Sequence, residues 1–172
     1  VCLRSRSGQD LTEAFPAIVR ALAAQPVKPM LLDGEIVAFE GGLPSFGALQ
    51  RRAGRGNATD IEAAERRTPT VYYSFDLLHV QGMNLRGARY LDRRRYLMQC
   101  VVPNAAVQLV HAGADGEALH RAAIAAGFEG TMAKRKAGRY RPGERSGDWL
   151  KVKATQTAEF VVGGYTRGKG SR

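Results

Sequence analysis

Two eleven-residue runs limit the folds open to this chain. MLLDGEIVAFE and TVYYSFDLLHV are rich in branched and aromatic residues, and each closes on a turn signal, Gly41-Gly42 and Gln81-Gly82. That composition and punctuation predict β-strands, the second being the clearest in the sequence. VCLRSR reads as a short strand running into a Ser7-Gly8 turn. A helix is expected from about Thr12, with Phe15, Ile18, Val19 and Leu22 at helical spacing and Pro16 close enough to its start to be tolerated. SFGALQRR predicts a short helix with Ser45 as N-cap. Ala53 to Pro69 has no apolar period and reads as a surface excursion. Beyond the second run come a helix around LDRRRYLMQC, a strand VQLVHA, and an alanine-rich helix stopped by Gly127. Then follow a strand GTMAK, a basic loop, and strands DWLKVK and EFVVGGY. Strands outnumber helices and do not alternate regularly with them, which predicts one α+β domain of mainly antiparallel sheets flanked by helices.

Charge is the most informative feature of the composition. Lysine and arginine number 26 against 16 acidic residues, a net charge of +10, which points to a polyanionic partner. From Lys134 to Arg172 there are eleven basic and three acidic residues, so the positive field is concentrated at one end. Cys2 and Cys100 lie far apart and form no CxxC pair, and His79, His111 and His120 show no HxxxH or HExxH spacing. Neither a disulfide framework nor a common helical zinc site is indicated. No apolar run approaches the roughly 20 residues that cross a bilayer, and the chain is read as cytoplasmic with no membrane partner.

Two local patterns imitate known motifs and fail. GGYTRGKG places Gly170 where a phosphate-binding loop needs Ser or Thr, and PGERSG puts Ser146 out of register for a nucleophile elbow. Other residues carry chemistry more convincingly. Lys151 and Lys153 stand two apart in a predicted strand, so both ammonium groups share one face and could neutralise adjacent phosphate oxygens, or belong to a common solvent-facing strand. Glu35 interrupts an apolar strand, where a carboxylate needs a ligand or a cation unless it faces outward. Glu129 opens a strand after a helix-stopping glycine and could offer an oxygen to a divalent metal or be a plain surface glutamate. Phe75 could stack on a purine, or pack in the core.

The order and wording of these segments are more specific than any one of them. LDGEIVAF, SFDLLHVQG, EGTMAKR, the YRPGxRSxDWLKVK stretch and EFVVGGYT resemble successive motifs of the covalent nucleotidyltransferase superfamily, above all the ATP-dependent DNA ligases of bacterial end joining. The resemblance implies an ATP-grasp-like nucleotidyltransferase fold, ATP as AMP donor, Mg2+ or Mn2+ as metal, and nicked or broken double-stranded DNA as substrate in repair and recombination. End-joining proteins and a nucleoid association are further expectations. Residue by residue, it implies that Arg6 approaches the nucleotide or nick phosphate, Glu35 holds the ribose, and Phe75 stacks the adenine. Glu129 would be metal-associated, Arg145 the arginine before DWLK, and Lys151 and Lys153 the paired phosphate-contacting lysines. Trp149 is expected to pack.

The same resemblance places a nucleophilic lysine, in a KxDG motif, upstream of SRSG, and no KxDG occurs in the sequence. It also places a DNA-clamping OB-fold domain after EFVVGGYT. The 172 residues are therefore expected to be a partial nucleotidyltransferase domain with no second domain, and inactive alone. An RNA ligase or capping guanylyltransferase shares these nucleotide-handling motifs, and a basic DNA-binding module that has lost ligase chemistry would also lack the nucleophile. Retention of Glu35, Phe75, Glu129, Lys151 and Lys153 together favours the ligase.

Overall fold

The computed structural model describes residues 1–53, 57–144, 146–154 and 164. Both long runs form strands with the ends read from the sequence: β1 (Met30–Glu40) pairs antiparallel with β3 (Thr70–Val80). Short β2 (Leu43–Pro44) folds back on β1 through the Gly41-Gly42 turn, and β4 (Met83–Asn84) folds back on β3 through Gln81-Gly82. β5 (Val107–Leu109) adds to β3 in parallel, completing a five-stranded sheet. β6 (Gly130–Lys134) and β7 (Trp149–Lys153) form a separate antiparallel pair.

Five helices accompany the sheets among the described residues: α1 (Pro16–Ala23), α2 (Phe46–Ala53), α3 (Ala58–Arg67), α4 (Tyr90–Cys100) and α5 (Gly116–Ala125). α1 starts four residues later than the apolar spacing suggested, because Pro16 lacks a backbone donor and serves best in the first turn. The core joins Ile18 and Leu22 of α1 to Tyr72, Leu77 and Val80 of β3, Leu97 of α4 and Val107 of β5. Ser45 caps α2 as expected, its Oγ accepting from Ala48 N at 3.1 Å. α5 ends in a Schellman arrangement, with Gly127 at φ +83° and the amides of Gly127 and Phe128 donating to Ile124 and Ala123.

Two sequence expectations are corrected. VCLRSR forms no strand; only an isolated bridge joins Arg4 to Asp10 around the Ser7-Gly8 turn. The stretch read as a surface excursion contains α3. Its signal was local and polar: Asn57 accepts from Asp60 N and donates to the Asp60 carboxylate, each at 2.8 Å, while the alanine-rich body lacks an apolar stripe. α3 is tied down instead by Glu65, which accepts from Ala17 N at 2.6 Å and pairs with Arg20. Its carboxylate thus caps α1, whose own N-cap Phe15 offers no acceptor. EFVVGGYT lies outside the described residues, apart from Gly164.

Candidate nucleotide and phosphate site

The site residues divide between the two sheets. On the larger one, Glu35 is registered against Tyr73, and the pairing then passes from Gly34–Ser74 to Asp33–Asp76, leaving Phe75 as the extra residue of a bulge. Alternation puts Asp33, Glu35 and Tyr73 on one face. Phe75, two residues on from Tyr73, joins that face, and bulges characteristically re-aim a side chain at such places. Gly34 is required at its position: a Cβ there would lie 2.4 Å from the Tyr72 ring carbon Cζ on the opposite face. Glu35 is exposed, so it is the outward-facing strand residue, free of the burial penalty its apolar neighbours suggested.

On the smaller sheet, Lys151 is registered against Met132 and Lys153 against Gly130, so the two lysines share a face. Gly130, at φ +153°, brings β6 so close to β7 that a Cβ would sit 2.1 Å from Val152 O. The preceding Glu129 accepts from Ala154 N through its carbonyl at 2.8 Å, and its carboxylate lies 3.4 Å from the Lys151 ammonium. Among the described residues no three His, Cys, Asp or Glu side chains converge as a metal cage. One exposed carboxylate is still compatible with Mg2+, which commonly takes one or two protein carboxylates plus substrate phosphates.

Trp149 joins the halves. Its ring meets Phe75 edge to face at 5.7 Å and Tyr140 at 6.0 Å, the packing role expected of it. Arg6 lies exposed in the Ser5–Gly8 turn, with no hydrogen bond from its side chain among the described residues. Arg145 is outside the described residues. The structure thus brings Phe75 against β7 and Glu129 against Lys151, and leaves Arg6 apart from these contacts.

Sequence reasoning missed Lys134. Its ammonium lies 3.7 Å from the Trp149 ring centroid, 4.3 Å from that of Phe75 and 4.9 Å from that of Tyr90. Nζ is closed off from solvent and has no hydrogen-bond partner among the described residues. Burial pulls its pKa down to about 8, and the carboxylates of Asp76 and Asp33 only partly oppose this. A lysine at the edge of a basic loop reads as a solvated charge, and only the fold shows that three rings enclose it.

Behind the aromatic row sits a second group absent from the sequence reading. Arg93 makes a bidentate pair with Asp76 at 2.8 and 2.9 Å, both side chains fully buried, and also donates to the carbonyls of Ala88 and Gly138. Asp76, sitting in an apolar strand, was the available hint. Two cavities stand out. One, of about 290 Å³, lies in the loop between β6 and β7, lined by Arg135, Arg139, Arg141 and Asp148; the other, of about 330 Å³, is mostly apolar and lies between residues 1–3 and Met30–Leu32. Neither includes Phe75, a half-buried residue with the Lys134 ammonium over its ring and Trp149 edge to face with it.

A mainly antiparallel sheet with accompanying helices and a separate two-stranded pair is the fold class of a DNA ligase nucleotidyltransferase domain. The family profile described as "ATP dependent DNA ligase domain" matches residues 1–153, and the chain belongs to that family. It is 37% identical over 174 residues to the multifunctional non-homologous end joining DNA repair protein LigD of Mycobacterium tuberculosis H37Rv, covering all of this chain and 21% of that protein. It is 36% identical to a probable DNA ligase of Sorangium cellulosum, covering 98% of this chain and 32% of that protein. The chain thus spans about a fifth to a third of the relatives it matches. The crystal structure of the ligase domain from M. tuberculosis LigD superposes with a TM-score of 0.69 at 35% identity, over 88% of this chain and 46% of that one. A mycobacterial DNA ligase D complexed with ATP and MES gives the same score and identity over 88% and 47%.

Proposed function

We propose that this chain is the nucleotide- and phosphate-handling part of an ATP-dependent DNA ligase acting in bacterial end joining. Such an enzyme forms a lysyl-AMP from ATP, passes AMP to the 5′ phosphate of a nick or break, and joins the ends with release of AMP. The observation that carries the reading is the Phe75–Trp149 contact, which links the sheet face bearing Phe75 and Glu35 to the strand on which Trp149, Lys151 and Lys153 alternate onto one face.

In this reading Phe75 offers its ring to adenine, Glu35 accepts from the ribose hydroxyls, and Lys151 and Lys153 balance phosphate charge from one strand face. Arg6 and Arg145 add guanidinium groups toward the nucleotide or nick phosphate. Glu129 holds Mg2+ or Mn2+ together with the phosphates; the metal, when bound, draws electron density from the phosphoryl oxygens. The exposed cations of the loop between the small strands, Arg135, Lys136, Arg139 and Arg141, meet the DNA backbone, in the cytoplasm beside the nucleoid and with end-joining proteins as partners.

The test is incubation with magnesium and radiolabelled ATP, followed by a denaturing gel, of this chain and of a version extended upstream through a KxDG segment. Label is expected on the extended protein alone. Label on neither would sink the ligase reading, and a stable adduct on the 172 residues would overturn the placement of the nucleophile.

A further inference from the structure

The two halves of the site belong to different sheets, so their spacing depends on what ties one sheet to the other. One tie is the aromatic row with Lys134 at its centre, and another is Arg93, which bonds Asp76 of β3 and the Gly138 carbonyl of the loop between β6 and β7. A third is a hydrogen bond between residues 107 positions apart: the Tyr140 hydroxyl donates to Asp33 Oδ2 at 2.7 Å. Asp33 stands two residues before Glu35 and opposite Asp76, the neighbour of Phe75. Tyr140 belongs to the loop joining β6 to β7, and its ring packs edge-on against Trp149, the first residue of β7, with the Arg93 guanidinium 5.8 Å from its centroid.

That loop needs anchoring. It carries Arg135, Lys136, Arg139 and Arg141 in seven residues, a density of like charge that favours an extended, solvated segment. Among the described residues its backbone hydrogen bonds to the rest of the chain run to one side only. The carbonyls of Lys136 and Gly138 accept from Leu91 N and Tyr90 N, capping α4, while Tyr140 N donates to Arg86 O. These bonds fix the loop to the start of α4 and the segment before it. Only the Tyr140 side chain reaches from the loop to β1 among the described hydrogen bonds. Burial and the Asp33 carboxylate both raise the Tyr140 pKa, so the hydroxyl remains a donor throughout the neutral range.

We propose that Tyr140 is a positioning residue for the nucleotide reaction, setting through Asp33 the span between the base-and-ribose half of the site and the phosphate half. This rests on the functional reading above. A ligand that engages only the larger sheet is indifferent to that span. A ligand that must touch both sheets gains from having it preset, as any two linked contacts do.

Adenosine and ATP separate these cases. Binding of each to this chain, ATP with magnesium, is followed by the emission of Trp149, the lone tryptophan, and checked by calorimetry. Tyr140→Phe removes the hydroxyl and keeps the ring. It is expected to leave adenosine affinity within about twofold and to weaken ATP about fivefold or more, the scale of one lost charge-assisted hydrogen bond in organising a site. Asp33→Ala breaks the same bond from the other side and is expected to show the same selectivity, with the double variant no worse than the stronger single one. Equal weakening of both ligands, unchanged ATP binding in Tyr140→Phe, or additive losses in the double variant would overturn the proposal. Phe75→Ala, run alongside, tests the underlying reading separately: if it leaves adenosine binding intact, the base does not lie on Phe75.

Discussion

β3 and the β6–β7 pair both carry candidate site residues, yet they are built on opposite physical terms. Seven of the eleven residues of β3 are buried, while none of the ten residues of β6 and β7 is. The larger sheet owes its position to a hydrophobic core that includes α1 and α4. The smaller sheet exposes Met132, Leu150 and Val152 and is located by a few specific contacts: the ring row, Lys134, Tyr140–Asp33, and the packing of α5. The difference separates stability from charge. In the proposed function, residues that read a flat base need a rigid frame, whereas lysines that meet phosphates need solvent access and lose little by standing on a thin support.

The comparison breaks most severely at the hinge of the two regions. Arg93→Ala leaves Asp76 as a buried, unpaired carboxylate and removes one of the two donors to the loop carbonyl of Gly138, which keeps Tyr90 N. A loss of about 3–5 kcal/mol of unfolding free energy is expected, read from the denaturant midpoint; a loss below about 1 kcal/mol would show that the pair is not closed to water.

Lys134 tests the reverse sign. Its folded pKa of about 8 lies below the ordinary lysine value of 10.5, so between these values the unfolded chain binds more protons and stability rises with pH. The penalty is fully present below pH 8 and is relieved as pH climbs toward 10.5. Lys134→Met, which keeps the stem and removes the charge, is expected to stabilise the protein at pH 7 by up to about 3 kcal/mol and to flatten the rise between pH 8 and 10. A variant less stable than the parent at pH 7 would mean that the three rings outweigh desolvation.

Lys151 sharpens the contrast at its weak end. The Lys151–Glu129 pair is exposed, at 52% and 89% for the two side chains, and such pairs contribute about 0–1 kcal/mol. Lys151→Ala is therefore expected to leave thermal unfolding nearly unchanged while weakening ATP binding; a large drop in melting temperature would give β7 a structural duty that its exposure denies.

Local chemistry determined a good part of this protein. Branched and aromatic runs bounded by glycine set the limits of β1 and β3, Ser45 and Gly127 marked helix ends, and the two-residue spacing of Lys151 and Lys153 placed them on one face, because each of these signals acts within a few residues. α3 escaped for a related reason: its capping signal is local but its anchor, Glu65, reaches across to α1. Tertiary structure alone decided the bulge that aims Phe75, the exposure of Glu35, the ring cage around Lys134, the Arg93–Asp76 pair and the Tyr140–Asp33 bond. These depend on which distant segments share a dry interior, where a lost hydrogen bond or an unpaired charge carries its full penalty, and no spacing along the chain encodes that meeting.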